Sequence, residues 1–404
     1  VEGQLVEGAA LPSLLDWSAK QARLLTGGGA HVAERLYSAD NGFPFLEEEL
    51  PHHHLLNASM HAVFARRSSL VASALESGAP EWMCGAWSRP LFVGGWEHSD
   101  DRSDACFNVQ TPSLFVDLRI PTARRTALPS ALFGAAGQPA KLASAASPLS
   151  SLPASMLHVL ARQHAFGGFT VCEPVEQPSR SDEVLCTRHH CIDWNFVGVP
   201  RRRPNKWRAQ PRPRQPGAAV HEWKEWSFAR DEHGQSYYME MWRRLTQPHV
   251  AQSAPRLALR ATASARDALV VIVGDHFNYL LDRIVTPNEA AAARRLGSSL
   301  VQVVDAALDA NERQVAEAYL SMQAGHGCIS SGWRIDASLQ PWHEGATLFE
   351  ILGNSVHAQS VPTQAGASWP DGCQVQWNGK CFDVFSSSFA SVAEIEAFLS
   401  PGKS

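Results

Sequence analysis

The stretch CTRHHCIDWNF, residues 186–196, places two cysteines around two adjacent histidines, and both residue types are common zinc ligands. A structural zinc ion needs four ligands that converge on one point, at about 2.0–2.3 Å each. On a β-strand, Cys186 and His190 point to one face, while His189 and Cys191 point to the other. Because the four side chains are split between two faces, the spacing predicts a strand rather than a metal site.

The same alternation places Arg188 and His190 on the face that carries Ile192, Trp194 and Phe196. Since this face is the more apolar one, we expect it to point into a β-barrel. A buried Arg188 then needs a carboxylate or several carbonyl groups as partners. The alternative is that Arg188 and His190 lie half solvated near the mouth of the barrel.

An acidic partner is available in the segment YYMEMW, where Glu240 and Trp242 share one face. If this face points inward, Glu240 pairs across the barrel with Arg188 or Arg119. If it points outward, Glu240 is solvated and the two neighbouring methionines form the core. A period of two does not decide between the faces.

Three further residues have types suited to a binding or catalytic site. His276, in GDHFNYLLDR, is an acid–base candidate because the ordinary pKa of histidine is near neutrality, although it equally suits a structural role. Arg334 lies near a strand end, where loops often carry function. Arg119 alternates with Asp117, and the two form either part of the site or an exposed ion pair worth less than about 1 kcal/mol.

Several common sites are absent from the sequence. It has no GxxxxGK[ST] loop, no GxGxxG after a strand, no HExxH and no GxSxG, which removes the most frequent enzyme classes. The basic segment at 201–214 contains several prolines, so we predict a loop that is solvated or that contacts an anionic partner. PHHHL, at 51–55, is likewise predicted to be a loop, because adjacent histidines in a flexible segment seldom converge on a metal.

The composition favours a folded chain with a packed core. Of 404 residues, 45% are hydrophobic and 19% are charged, and the net charge of −5 makes a nucleic-acid partner unexpected. Eight cysteines without a CxxC pair indicate a reducing compartment, and no apolar run is long enough to span a membrane. We expect a cytoplasmic protein, or an organellar one if a targeting peptide has been removed.

The pattern of hydrophobic residues divides the chain into three regions. Residues 1–81 are predicted to be helical, and 82–350 to form the barrel, interrupted by a low-complexity insertion at 122–153 and a helical crossover at 287–324. Residues 351–404 are predicted to add a strand pair and a helix. The fold class is therefore α+β, with an antiparallel meander barrel of about eight to ten strands.

Two helix starts are marked by capping-box patterns, in which a side chain and a backbone amide satisfy each other reciprocally. In TPNE, Thr286 can cap a helix while Glu289 reaches back, and Pro287 occupies the first helical position. In SVAE, Ser391 and Glu394 predict a short amphipathic helix near the C-terminal end of the sequence.

Two short motifs resemble those of a known superfamily. Gly94-Gly95-Trp96 matches the G-x-W pattern that opens the first strand in many calycins, the lipocalin-like barrels. QTPSLFVDLRIP, which contains the D-x-R of Asp117 and Arg119, is similar to a motif of the Hri1-type lipocalin-like proteins. The resemblance covers roughly residues 90–350. It implies a barrel with an internal cavity, includes Arg119 in the site, and implies no settled activity.

The first functional hypothesis is that the barrel binds a small apolar or aromatic ligand that carries an acidic group. Arg119, Arg188 or Arg334 would pair with the acid, and Trp194 and Trp242 would form the walls. Neither a metal nor another cofactor is expected.

Two alternatives remain open. One is a metal-independent isomerase, hydratase or lyase, in which His190 or His276 moves a proton and Glu240 orients it. The other is an interaction protein with a packed barrel, which docks a protein partner through the N-terminal helices or the segment 201–214.

Overall fold

The structure is a computed structural model of the chain. It describes residues 77–94, 99–100, 104–134, 148–175, 182–198, 205–213, 219–227, 238–245, 254–261, 266–360 and 373–400. Nearly all of the predicted helical region 1–81, together with PHHHL, lies outside these residues. The central part of the predicted insertion, 135–147, also lies outside them.

Eight antiparallel strands form a closed barrel, in which each strand pairs with the next along the chain and the first pairs with the last. The strands are β1 (Gly85–Gly94), β3 (Asp104–Gln110), β4 (Leu114–Pro121), β5 (His164–Pro174), β6 (Val184–Asp193), β7 (Asn205–Pro213), β8 (Val220–Ser227) and β9 (Tyr238–Arg244), while the short β2 (Ser99–Asp100) extends the pairing of β1. Closure leaves no long free edge, which explains how so many apolar strands are accommodated. The predicted α+β fold with an antiparallel meander barrel is confirmed.

The strands after residue 255 do not belong to this barrel. They form a second antiparallel sheet, in the spatial order β14-β13-β12-β11-β10-β17-β16-β15. Its strands are β10 (Arg256–Ala261), β11 (Ala268–Val273), β12 (His276–Leu281), β13 (Gln323–Cys328), β14 (Arg334–Ser338), β15 (Val356–Ser360), β16 (Cys373–Trp377) and β17 (Lys380–Ser387). The predicted barrel, which extends to residue 350, therefore includes strands that belong to this second sheet. Period-two alternation identifies strands but says nothing about which strands pair.

Seven α-helices accompany the strands in the described residues. They are α1 (Arg124–Ala127), α2 (Ala154–Ala161), α3 (Pro287–Leu296), α4 (Leu300–Asp309), α5 (Arg313–Tyr319), α6 (Leu348–Leu352) and α7 (Val392–Phe398). The predicted helical crossover at 287–324 is confirmed as α3 to α5, but it connects β12 and β13 of the second sheet rather than strands of the barrel. The capping box of Thr286 is present. The C-terminal helix is also confirmed, with Ser391 accepting a hydrogen bond from the Glu394 amide. None of these helices has the length and apolarity needed to cross a bilayer.

Strand β4 connects the second sheet with the interior of the barrel. Its apolar residues Val116 and Leu118 pack in one core with Val271 and Leu280 of the second sheet. Asp117, between them, points to the opposite face and is also fully buried. Both faces of β4 are therefore buried. The apolar face packs on the second sheet, and the polar face with Asp117 lies inside the barrel.

Most of the Arg-rich segment predicted as a loop is strand β7. Trp207 and Ala209 are buried, while Arg208 between them is partly exposed. Pro213 falls at a register shift, where a strand tolerates the missing amide donor. The loop prediction was therefore wrong for 205–213. Inward-facing residues alternate there with charged ones, as in a strand, but the prolines favoured a loop.

Candidate functional site

A layer of charged side chains crosses the interior of the barrel. It contains Arg89, Asp117, Arg119, Arg188, Glu225 and Glu240. Arg119 on β4 reaches Glu240 on β9, and these strands are not neighbours, so the contact runs through the interior. Unpaired ions are very costly in such surroundings, and each charge must be paired or neutralised.

Asp117 is the acceptor for several groups in this layer. Arg119 Nε donates to it at 2.8 Å, Asn108 Nδ2 donates at 3.3 Å, and Arg188 Nη1 lies 3.5 Å from Oδ2. Burial alone raises the pKa of Asp117, but Arg119 and Arg188 outweigh it, and the pKa is lowered. Asp117 is therefore ionised at neutral pH.

Glu240 is the second buried anion. Arg89 Nη1 donates to Oε1 at 2.6 Å and Arg119 Nη1 at 3.4 Å. Burial raises the pKa of Glu240, but these two guanidinium groups overcome it and lower the pKa. Arg119 thus bridges the two ionised carboxylates, and Glu240 has one of the two partners that the sequence suggested.

Glu225 lies opposite Glu240 on the neighbouring strand β8. Its pKa is raised well above the ordinary value, first by burial and then by the negative charge of Glu240. Trp242 Nε1 donates to Oε2 of Glu225 at 3.1 Å. The layer therefore contains one carboxyl group with a raised pKa beside one with a lowered pKa, which is an arrangement that can hold and release a proton.

Arg188 is the least satisfied member of the layer. Its side chain is 1% exposed, and its Nε and Nη2 have no hydrogen-bond partner among the described residues. The guanidinium carbon lies 4.3 Å from the centre of the Phe115 ring and 5.1 Å from that of Trp207. Nε and Nη2 form one edge of the guanidinium plane, and this edge matches the two oxygens of a carboxylate.

Tryptophan rings fill the part of the barrel next to this layer. Trp223 stacks between Trp207 and Trp242, with ring centroids 5.7 and 5.5 Å away. Trp87 meets Trp223 edge-on and donates from Nε1 to the Met83 carbonyl at 2.8 Å. Of the two orientations that the sequence left open for Glu240 and Trp242, the structure has the inward one.

His190 faces the same interior. Its Nδ1 lies 2.7 Å from Asp193 Oδ2, and its ring stacks on Phe166 with centroids 4.4 Å apart. A carboxylate on one ring nitrogen fixes the tautomer and orientation of an imidazole, as acid–base chemistry requires. The strand predicted for this stretch is confirmed as β6.

A β-bulge in β6 changes the prediction for Trp194. The pairing steps from Gly167–Ile192 to Gly168–His190, so Cys191 is an extra residue and the alternation reverses there. Trp194 consequently packs in the core outside the barrel, where its Nε1 donates to the Ala161 carbonyl at 3.2 Å. Its assignment to the ligand wall does not fit this position, because strict alternation was assumed across the bulge.

Two other candidate residues lie in the second sheet. Arg334 is on the edge strand β14, partly exposed, with Nε 3.4 Å from Asp336 Oδ1. His276 begins β12, and its Nδ1 lies 3.4 Å from the Cys328 sulfur. The barrel therefore brings together Arg119, Arg188, His190, Glu240 and Trp242, whereas Trp194, His276 and Arg334 lie elsewhere.

Several residues of the charged layer and of the aromatic walls around it were not identified from the sequence. These are Arg89, Asn108, Phe115, Phe166, Trp207, Trp223 and Glu225. A signal was present in HEWKEWSF, where Trp223 and Glu225 alternate with lysine and glutamate. Because both faces of this strand mix aromatic and charged residues, its pattern does not reveal the inner one.

Comparison with known proteins adds little to this geometry. No protein-family profile matches the chain, and no curated protein matches it. Among solved structures, an uncharacterized protein of Saccharomyces cerevisiae, YLR301w, is 14% identical with a TM-score of 0.40, over 75% of this chain and 98% of that chain. The closed eight-stranded antiparallel barrel of this chain fits a calycin-like fold.

Proposed function

We propose that the barrel binds a small anionic ligand with an aromatic or apolar body, and that Arg188 pairs with its acidic group. The observation that carries this proposal is the free edge of the Arg188 guanidinium, which is buried and has two donors without a partner among the described residues. Leaving buried charged donors unsatisfied costs several kcal/mol, so a ligand that accepts from them binds favourably.

The charge balance of the layer favours an anion. The guanidinium groups of Arg89, Arg119 and Arg188 face the ionised Asp117 and Glu240, while the raised pKa of Glu225 disfavours a negative charge there. Asp104, which is partly exposed, lies 3.8 Å from Arg89. A carboxylate at Arg188 would supply the missing negative charge on that side of the layer.

The walls favour an aromatic or apolar body. Phe115 and Trp207 flank the Arg188 guanidinium, and Phe166 lies 5.9 Å from it. The Nε1 atoms of Trp207 and Trp223 are buried and also lack a hydrogen-bond partner among the described residues. Aromatic faces with a few convergent donors are typical of small-molecule sites. The resemblance to lipocalin-like barrels supports the same role.

The first test is native mass spectrometry of the purified full chain beside its denatured mass. An added mass of a small organic acid, lost on denaturation, would support the proposal and provide the ligand for identification. Naphthalene carboxylate and the uncharged naphthalene carboxamide should then be compared by titration calorimetry. We expect binding of the carboxylate to exceed that of the amide, and Arg188→Met to remove this preference.

The matched control is Arg260→Met. Arg260 is also buried, with its guanidinium carbon 5.6 Å from the Phe169 ring, but it lies on β10 of the second sheet. This variant should keep the preference for the carboxylate. Equal binding of acid and amide to the wild type, or an unchanged preference in a folded Arg188→Met protein, would contradict the proposal.

The second candidate function is a barrel enzyme that moves a proton on the bound ligand. The opposite pKa displacements of Glu225 and Glu240 favour it, since such pairs often divide the roles of acid and base. The recovered ligand, incubated with the protein in heavy water, would then gain deuterium at carbon, and Glu225→Gln would abolish the gain. If the ligand gains no deuterium, the barrel binds it without moving a proton on it. Docking of a protein partner through 1–81 or 201–214 stays a prediction, since it depends largely on segments outside the described residues.

A further inference from the structure

A second group of potential ligands lies outside the barrel, in the second sheet. His276, His326 and Cys328 come from β12 and β13, and their ligand atoms all lie within 4.8 Å of one another. His276 and Cys328 are directly opposite in the strand register. His326 is two residues before Cys328, so both point to the same face of the sheet.

We propose that these three side chains bind a divalent transition-metal cation, with zinc as the best match. Two imidazole nitrogens and one thiolate are a donor set that zinc favours. His276 Nδ1 and Cys328 Sγ are 3.4 Å apart. Adjacent nitrogen and sulfur ligands of a tetrahedral zinc ion are ~3.6 Å apart, given the usual zinc–ligand bond lengths. The pair therefore needs almost no movement to share a cation.

The third ligand, His326, is held in a tautomer that suits a metal. Asn278 Nδ2 donates to the backbone carbonyls of Phe107, at 3.0 Å, and Val116, at 2.9 Å. The Asn278 oxygen must then face His326 Nδ1, 2.8 Å away, and Nδ1 carries the hydrogen. The lone pair is consequently on Nε2. A ligating histidine typically has such an outer partner on its other nitrogen.

Packing and charge support the same assignment. The Phe107 ring stacks on His326 with centroids 4.2 Å apart, which fixes the buried imidazole. His276 and Cys328 are only partly buried, so a cation can reach them from solvent. Burial first, and then the negative charges of Asp336 and Asp275, raise the pKa of the Cys328 thiol, and the same negative charges favour a cation that takes the place of the thiol proton. Asp336 or a water molecule can complete the four ligands of a zinc ion.

This group differs from the stretch at 186–191 in one respect that matters. There the cysteines and histidines alternate between two faces of a single strand, whereas here the three ligands lie on one face of two neighbouring strands. The separation of fifty residues between His276 and His326 matches no zinc spacing in a sequence. The inference departs from the sequence-based expectation that the protein has no metal.

The test is cobalt and zinc binding to the chelator-treated full chain. We expect one zinc per chain by native mass spectrometry, and with cobalt the absorption bands of a tetrahedral site, including a thiolate-to-cobalt charge-transfer band. Cys328→Ser should remove the charge-transfer band, and His326→Gln should weaken binding at least about tenfold. Thermal unfolding of the wild type should shift upward with zinc.

Matched controls lie in the same sheet. Cys381→Ser removes a half-buried thiol on β17, and His357→Ala removes an exposed histidine on β15, so both should bind cobalt like the wild type. Absence of stoichiometric binding would overturn the proposal. Binding that persists unchanged in Cys328→Ser would also overturn it, because the cation would then be held elsewhere, for example by the histidines at 52–54.

Discussion

Glu225 and Glu240 lie directly opposite each other on neighbouring strands inside the barrel, and their pKa values are displaced in opposite directions. The difference follows from their partners. Glu240 accepts from the guanidinium group of Arg89 and lies near that of Arg119, whereas Glu225 accepts from the neutral indole of Trp242. In this coupled pair Glu240 therefore loses its proton first, and Glu225 keeps a proton to higher pH.

Glu240→Gln should lower the free energy of unfolding, whereas Glu225→Gln should not. Glu240→Gln removes the carboxylate that Arg89 contacts at 2.6 Å and leaves Arg119 with Asp117 alone, so we expect a loss of about 3–5 kcal/mol at pH 7. Glu225→Gln replaces a neutral acid by a neutral amide that can still accept from Trp242, so it should not destabilise the protein. Urea unfolding at pH 7 measures both. Equal losses in the two variants would contradict the assignment of the proton.

The effect of Glu225→Gln should depend on pH. Because the pKa of Glu225 is raised in the folded state, its contribution to stability is present below the unfolded value of about 4.3 and is lost as pH rises toward the folded pKa. The advantage of Glu225→Gln over the wild type should then grow above pH 4.3 by up to about 1.4 kcal/mol per pH unit.

Urea unfolding of both proteins from about pH 2 to pH 8 tests this dependence. Below pH 4 both should lose stability alike, since the lowered pKa values of Asp117 and Glu240 mean that protonation costs folded-state interactions. A difference between the two proteins that stays constant with pH would show that Glu225 is ionised in the folded protein.

The buried charge of Arg188 should not increase the free energy of unfolding in the absence of ligand. Its charge is buried and only partly paired, and Asp117 keeps Arg119 and Asn108 when Arg188 is removed. Arg188→Met should therefore leave the free energy of unfolding unchanged, or raise it by about 1–3 kcal/mol, in the absence of ligand. Arg119→Met, which removes a partner from both Asp117 and Glu240, should lower it by about 3–5 kcal/mol. A large loss in Arg188→Met would assign Arg188 a structural role instead.

The bulge that orients His190 should depend on Gly168. A Cβ atom at this position would lie 2.0 Å from the His189 carbonyl oxygen and 2.7 Å from the Cys191 amide nitrogen, and backbone atoms have little room to move. We expect Gly168→Ala to lower the free energy of unfolding by more than about 3 kcal/mol.

Gly332→Ala is the matched control. Gly332 has a φ of +77° and no atom within 4 Å of an added Cβ, so only the left-handed backbone costs energy, about 1–2 kcal/mol. Thermal and urea unfolding compare the two variants. If Gly168→Ala lowered the free energy of unfolding no more than Gly332→Ala does, the bulge would accommodate a Cβ atom at this position, and the prediction would be wrong.

Much of the local structure was predictable. The capping box of Thr286, the helix that begins after Ser391 and the strand at 186–196 as far as its observed end at Asp193 were predicted correctly from neighbouring residues. Each depends on contacts within a few positions of the chain, such as period-two alternation or a capping side chain. Arg188 and His190 were accordingly placed on one face before their surroundings were known.

The inner face of each strand was less predictable. On β4 the apolar face packs on the second sheet, and the polar face with Asp117 lines the barrel, which reverses the usual expectation for a barrel interior. On β6 one extra residue, Cys191, turns Trp194 away from the barrel. Both outcomes depend on what lies beyond the strand, and no pattern within the strand contains that information.

The sequence by itself thus determined the positions of most described strands and helices and the α+β class, because these follow from local periodicity and capping. Only the tertiary structure decided that the barrel closes between β1 and β9, that β10 to β17 form a separate sheet, and that the buried charges meet. It also decided that His276 meets His326, fifty residues away in the chain. These relationships depend on contacts between distant segments, whose partners are selected by packing and burial of the whole chain.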